Sequence, residues 1–185
     1  MKKWRKMKMK KKFKTYEFDY ARKAKSVSYG ALRNKKTIKG IVIHYTSGSK
    51  DTAKNECDYF ATGNTRSAGA HIFIDYEGKS GRSIPLTRTA WSVGNPGGCY
   101  RRGTYYSTLN NSNTVSIELC GIANRFASEE QIKETEEVIR WIKRSCPNVQ
   151  YIVRHYDIVR KNCPAPYVSD EKAWRQLQKR LLRCI

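Results

Sequence analysis

The chain has little histidine: three residues among 185, namely His44, His71 and His155. Its six cysteines form no CxxC pair and are irregularly spaced. At this length, and with no secretory leader expected, that spacing argues against a disulfide framework. Most of these cysteines read as small buried hydrophobes. Cys57 falls on a helical pattern and Cys120 ends an apolar strand, whereas Cys163 stands in a polar loop before Pro164. No apolar run approaches the ~18–20 residues of a membrane span. Met7, Met9 and Phe13 are isolated among lysines, so the basic start has no apolar signal core behind it. No internal repeat is visible.

Acidic residues are also scarce. Sixteen Asp and Glu face 37 Lys and Arg, for a net charge of +21. Residues 1–14 hold nine of those bases and no acid, which leaves +12 for the remainder. Such a balance implies an anionic partner: nucleic acid, anionic lipid or a phosphate-rich wall polymer. The length fits one domain with a true core.

Hydrophobic periodicity divides the chain into a basic extension (1–14), a lead-in segment without clear structure (15–37) and a domain (38–185). The run from Lys39 to Tyr45 predicts a buried strand. Asp51 offers an N-cap for a helix through Ala53, Cys57, Phe60 and Ala61, ended by Gly63-Asn64. Ala70–Tyr76 predicts a second strand, and the turn Glu77-Gly78 leads to a third around Arg82–Leu86. Residues 92–113, rich in Gly, Asn, Ser and Tyr, form a long loop of the kind that usually carries function. Thr114–Cys120 predicts a further strand.

Ser128 and Gln131 have the spacing of a capping box before a helix with Ile132, Thr135, Ile139 and Ile142 on one face. Val149–Val153 predicts the last strand, and Ser169 a cap for a terminal helix carrying Trp174, Leu177 and Leu181. This order predicts a single α/β domain with a central mixed β-sheet flanked by helices on both faces.

Candidate chemistry gathers at strand ends. His44 and His155 each stand at or just after the carboxyl end of a predicted strand, where open α/β sheets place their sites. Cys163 can reach the same edge from its loop. Two imidazoles and a thiol are a ligand set that leaves a catalytic zinc its open position. Spacing alone keeps His71 as a competing ligand; the other reading makes it a buried histidine bonded to a nearby group. Glu118 interrupts an apolar strand, so it is either a desolvated general base with a raised pKa or a glutamate on a wet face. Lys161 could offer a point charge to an oxyanion.

Several motifs, in order, resemble the type 2 N-acetylmuramoyl-L-alanine amidases, whose fold is shared by peptidoglycan recognition proteins and many phage endolysins. They are Ile41-Val42-Ile43-His44-Tyr45-Thr46, Thr52-Ala53-Lys54-Asn55 with Asp58-Tyr59-Phe60, and Ser67 through Asp75. Ile84-Pro85-Leu86, Ala90-Trp91, Ser116 through Cys120, and Arg154-His155 through Lys161-Asn162-Cys163-Pro164 complete the set. The resemblance spans about Lys39 to Tyr167.

It implies that His44, His155 and Cys163 bind zinc, that Glu118 is the catalytic glutamate, and that Lys161 stabilises the transition state. His71 matches a histidine usually not counted among the ligands. The implied reaction cleaves the amide between the lactyl group of N-acetylmuramic acid and L-alanine of the stem peptide. The alternative is a non-catalytic peptidoglycan-recognition module on the same fold, which the presence of Cys163 disfavours. Two positions depart from the family pattern: Ala70 stands where some members have a tyrosine, and Ser92 where many have a histidine.

The resulting expectation is a monomeric, bacteriolytic endolysin acting on bacterial peptidoglycan, with no specific nucleic-acid partner. Residues 1–14 would hold it to anionic wall polymers or a membrane surface. With no signal peptide, it would wait in the cytoplasm for holin-type release.

Overall fold

The computed structural model describes residues 15–94 and 98–185. The basic extension expected over 1–14 lies outside the described residues. In chain order the strands and helices are β1 (Tyr20–Ala21), β2 (Tyr29–Leu32), β3 (Gly40–Tyr45), α1 (Ala53–Asp58), β4 (Ile72–Ile74), β5 (Ser80–Arg82) and β6 (Arg88–Ala90). There follow β7 (Thr114–Leu119), α2 (Glu129–Ser145), β8 (Tyr151–Arg154), α3 (His155–Ile158), α4 (Ala165–Ser169) and α5 (Glu171–Leu181).

Six strands form one mixed sheet in the order β1-β5-β4-β7-β3-β8, and β2 pairs with β6 in a small antiparallel ribbon. Within the sheet, β4, β7, β3 and β8 run parallel, while β5 is antiparallel to β4. Side chains alternate between faces of a strand. Ile41, Ile43, Ile72, Ile74, Val115, Ile117, Leu119 and Ile152 therefore fill one face, covered by Val138, Ile139 and Ile142 of α2 and Trp174, Leu177 and Leu181 of α5. On the other face, Ala53 and Cys57 of α1 pack on Phe73 and Cys120. Farther along, Val93 and Leu109 of the long loop cover Val42 and Val153. The mixed sheet with helices on both faces matches the expected fold class.

The lead-in segment is part of this body. Tyr16 and Phe18 pack edge-on (88°), and Phe18 in turn meets Trp141 of α2 edge-on (89°). β1 extends the sheet beyond β5.

Several local expectations are corrected. Thr52, not Asp51, caps α1: its hydroxyl accepts from Asn55 N while Asn55 Oδ1 accepts from Thr52 N. Asp51 instead accepts from Gly48 N. α1 then runs on as a π-turn over Tyr59–Gly63. The strand expected around Arg82–Leu86 is Ser80–Arg82, earlier in the chain, because Gly78 (φ 79°) closes a tight turn whose Lys79 N donates to Asp75 Oδ1. Asp170 rather than Ser169 caps α5, and Ser169 ends the short α4.

Ser128 does cap α2, but the Gln131 side chain turns inward rather than back to it. Its amide donates to the carbonyls of Ile74 (2.7 Å) and Cys120 (3.0 Å), where β4 and β7 leave the sheet. The Ile74 carbonyl also accepts from Cys120 N (2.8 Å), so removing the amide strands the Cys120 carbonyl, a cost of about 1–3 kcal/mol. Gln131→Leu is therefore expected to lower stability by about 2 kcal/mol in urea unfolding. A change below about 0.5 kcal/mol, the ordinary surface range, would show that solvent replaces the amide.

Candidate active site

Register builds the site. In the parallel pair β3/β7, His44 stands opposite Glu118 as Val42 stands opposite Ser116, so all four share the face that α1 and the long loop cover. On the other side of β3, Ile43 pairs with Arg154, so the next residue of each strand is His44 and His155. Their ring centroids lie 4.7 Å apart. His155 opens α3, and its orientation is set by its neighbour. Arg154, buried, donates to Asp157 (2.8 Å), Glu171 (2.8 Å) and the Tyr167 carbonyl (2.7 Å), while its own N–H is capped by Asp157 (2.8 Å).

Cys163 arrives from the loop after α3. Tyr156 N donates to the Cys163 carbonyl at 3.0 Å, which fixes the loop beside His155. The peptide bond between Cys163 and Pro164 is cis. Cys163 Sγ lies 3.7 Å from His44 Nδ1, and the ligand atoms of His44, His155 and Cys163 all fall within 4.8 Å of one another. Two metal ligands at zinc–nitrogen and zinc–sulfur lengths, set at a tetrahedral angle, stand about 3.6 Å apart. The His44–Cys163 spacing is close to that.

The polar accounting agrees. His44 Nε2 and both ring nitrogens of His155 are buried without a well-formed hydrogen bond among the described residues. Leaving such groups unpaired costs about 1–3 kcal/mol each. The donor set suits a borderline-soft cation such as zinc.

Electrostatics prepares the same group. Burial holds the His44 ring well below the ordinary imidazole range, helped by the neighbouring His155 and Lys161. It lowers His155 to about 3, again with Lys161 contributing. Both rings are thus neutral and able to ligate. Burial, then the Glu118 charge, pushes the Cys163 thiol up. A metal must displace that proton.

Glu118 places a carboxylate oxygen 4.0 Å from His44 Nδ1, with its side chain 18% exposed, so it borders the site while still reaching solvent. Burial raises it to about 8, and the Glu56 charge adds to the rise while Lys161 opposes it. Lys161 is exposed, and its charge acts on His44, His155, Cys163 and Glu118 alike.

His71 stands apart from the trio, fully buried. Its Nε2 meets Arg33 Nη2 at 2.7 Å and its Nδ1 meets Ser116 Oγ at 2.9 Å. Ser116 N donates to Nδ1 (3.1 Å), so Nδ1 accepts and Nε2 carries the proton, 3.1 Å from the Arg88 carbonyl. Arg33 also donates to the carbonyls of Leu86, Asn111 and Thr114. Asn111 Oδ1 in turn accepts from Ser92 N and Val93 N, holding the loop that follows Trp91.

Sequence reasoning missed Arg33, Asn111 and Glu56. Glu56 is itself raised to about 7, by burial and then by Asp51. An acid on the first turn of α1 gave the one faint signal for it; nothing marked Arg33 or Asn111.

A family model described as N-acetylmuramoyl-L-alanine amidase matches residues 34–166. Among curated proteins, the chain is 30% identical over 149 residues to N-acetylmuramoyl-L-alanine amidase CwlL of Bacillus licheniformis. It is 31% identical over 155 residues to N-acetylmuramoyl-L-alanine amidase BlyA of Bacillus subtilis (strain 168). Each match covers 78% of this chain and 41% of the relative, so the chain spans about two fifths of their length. Among solved structures, PlyL superposes with a TM-score of 0.68 at 20% identity, covering 90% of this chain and 97% of that one. That likeness is one of fold.

The buried state of His71 is testable by pH. Burial and Arg33 hold its folded value at about 3, whereas the unfolded ring takes a proton near ~6.5. As pH falls, the unfolded chain is protonated first. Stability is therefore full above about 6.5 and is lost toward about 3, by at most about 1.4 kcal/mol per pH unit. Urea unfolding from pH 7 down to about 4 should give a shallower decline for His71→Gln than for the wild type. Parallel declines would mean that the ring is not held neutral.

Proposed function

The chain belongs to the N-acetylmuramoyl-L-alanine amidase family, and from that premise we propose that it hydrolyses the amide joining the lactyl group of N-acetylmuramic acid to L-alanine in peptidoglycan. In this reading His44, His155 and Cys163 hold a zinc ion. When bound, zinc supplies Lewis-acid polarisation of the scissile carbonyl and acidifies water. Glu118 takes the proton from the attacking water and returns it to the departing amine of L-alanine. Lys161 presents a positive charge toward the developing oxyanion.

One observation carries the reading: a carboxylate raised by burial stands 4.0 Å from a histidine that also faces the buried thiol. A recognition module needs no such carboxylate and no thiol ligand. A divalent cation beside Glu118 draws its pKa down, as Lys161 already does, which favours the basic form needed near neutral pH.

The proposed setting is a bacteriolytic endolysin that reaches the wall once the membrane is opened. Among the described residues no helix is long and apolar enough to cross a membrane. The basic residues 1–14 would add attraction for anionic wall polymers, and the active species would be a monomer.

Mass spectrometry of digested peptidoglycan tests the reaction. Free stem peptides beginning with L-alanine are expected; new reducing sugar ends without them would make the enzyme a glycosidase. Glu118→Gln should keep about one zinc per chain and release stem peptide at least about 100-fold more slowly. Wild-type turnover in that variant would hand the base role to another group.

A further inference from the structure

The carboxyl edge of the parallel strands holds the candidate active site. The opposite, amino edge carries an unexplained charge. Three segments meet there, and backbone bonds lock them together. Lys39 N donates to the Asn113 carbonyl (2.8 Å), and the Lys39 carbonyl accepts from Gln150 N (2.9 Å) and Tyr151 N (3.2 Å). Asn148 Nδ2 donates to the Lys36 carbonyl at 2.7 Å. Lys143 Nζ closes the end of α2 by donating to the carbonyls of Pro147 (3.0 Å) and Val149 (2.7 Å). The result is a fixed concavity of about 460 Å³ with Lys36, Lys39 and Lys143 on its walls. Lys35 and Arg144 are the exposed chain neighbours of Lys36 and Lys143. The charge of Lys35 is felt at the buried Cys146 on which this corner rests.

None of these five cations forms an ion pair among the described residues, and no carboxylate lines the concavity. Elsewhere some bases are matched: Arg22 and Lys54 with Asp58, Arg180 with Glu129 and Glu136, and Arg154 with Asp157 and Glu171. What sets this corner apart is its shape: three lysines share the walls of one concavity that holds no carboxylate.

We propose that this amino-edge corner is a docking site for a phosphodiester polymer without bases, of the polyol-phosphate kind. Four of the five cations are lysines, which meet phosphate as point charges rather than as planar forks. No aromatic side chain lines the concavity, whereas single-stranded nucleic acid is held largely by base stacking on aromatic rings. No exposed large hydrophobic lines it either, and an interfacial membrane surface needs an apolar face beside the basic one. The six residues of β3 put the corner about 20 Å from the active edge. A polymer held there leaves the catalytic cleft open. The choice of a wall polymer rests on the amidase reading; the anion site itself does not.

Equilibrium binding of the full chain to soluble poly(glycerol phosphate), followed as salt rises from about 50 to 200 mM, tests the site. Replacing Lys35, Lys36 and Lys39 together by Gln should flatten the dependence of log K on log salt by about 2–3, and Lys36→Gln alone by roughly 0.7–0.9. Affinity in the low-salt range should fall at least tenfold for the triple variant. A control removes the same charge at Lys23, Lys25 and Lys172, all exposed and without ion pairs among the described residues; it should change the slope by less than half as much. Equal flattening in the two triple variants would overturn the site. A larger loss on single-stranded DNA of equal phosphate count than on the polymer would overturn the choice of partner. The assay involves no turnover. Its failure would leave the amidase reading standing, and an inactive enzyme with the lysine-dependent slope would leave the docking site standing.

Discussion

The parallel register of β3 with its two neighbours is the constraint on which the site depends. With His44 opposite Glu118 and level with the first residue beyond β8, backbone hydrogen bonds place a carboxylate and two imidazoles at one edge. A shift of one residue would send all of them to the opposite face, against α2 and α5. The isoleucines that alternate with them are what forbid that shift. Ile41, Ile43, Val115 and Ile117 are fully buried on the far face, and each is worth about 1.5–3 kcal/mol of burial. The apolar core thus specifies where the polar chemistry stands.

That placement is costly to the fold. Unpaired ring nitrogens at roughly 1–3 kcal/mol each, a buried thiol and a desolvated carboxylate together oppose folding. Structural zinc sites, by comparison, have apparent binding energies of ~10–16 kcal/mol, enough to offset such costs several times over. Positioning groups add precision rather than stability. The buried Arg154–Asp157 pair fixes the start of α3 and with it His155, and buried ion pairs of this kind contribute more to geometry than to net free energy. Arg33 plays a similar part on the same face of the sheet, joining the lead-in segment to His71 and to the backbone near Asn111.

Much of this was legible in the sequence because it rests on periodicity. The alternating runs of β3 and β7, the apolar stripe of α2 and the Trp174, Leu177, Leu181 repeat of α5 each bury one face, and burial writes itself into residue order. Less was legible where competition between neighbouring polar groups decides. Thr52 displaced Asp51 as a cap because Asn55 could answer it. Gln131 turns instead to two carbonyls where the strands leave the sheet, which only the tertiary fold brings near. β1 and β2 are two and four residues long and are formed by partners some 60 residues away, so no local pattern announces them. Arg33 illustrates the limit. Its partners are carbonyl oxygens, and carbonyls have no sequence signature.

Register and loop together bring His44, His155 and Cys163 into a set of two nitrogens and one sulfur that could hold a metal ion. X-ray absorption at the zinc edge, on protein loaded with one equivalent, tests that most directly. Two nitrogen scatterers near ~2.0–2.1 Å and one sulfur near ~2.3 Å are expected, with the sulfur lost in Cys163→Ser. A shell of oxygen and nitrogen alone in the wild type would contradict it.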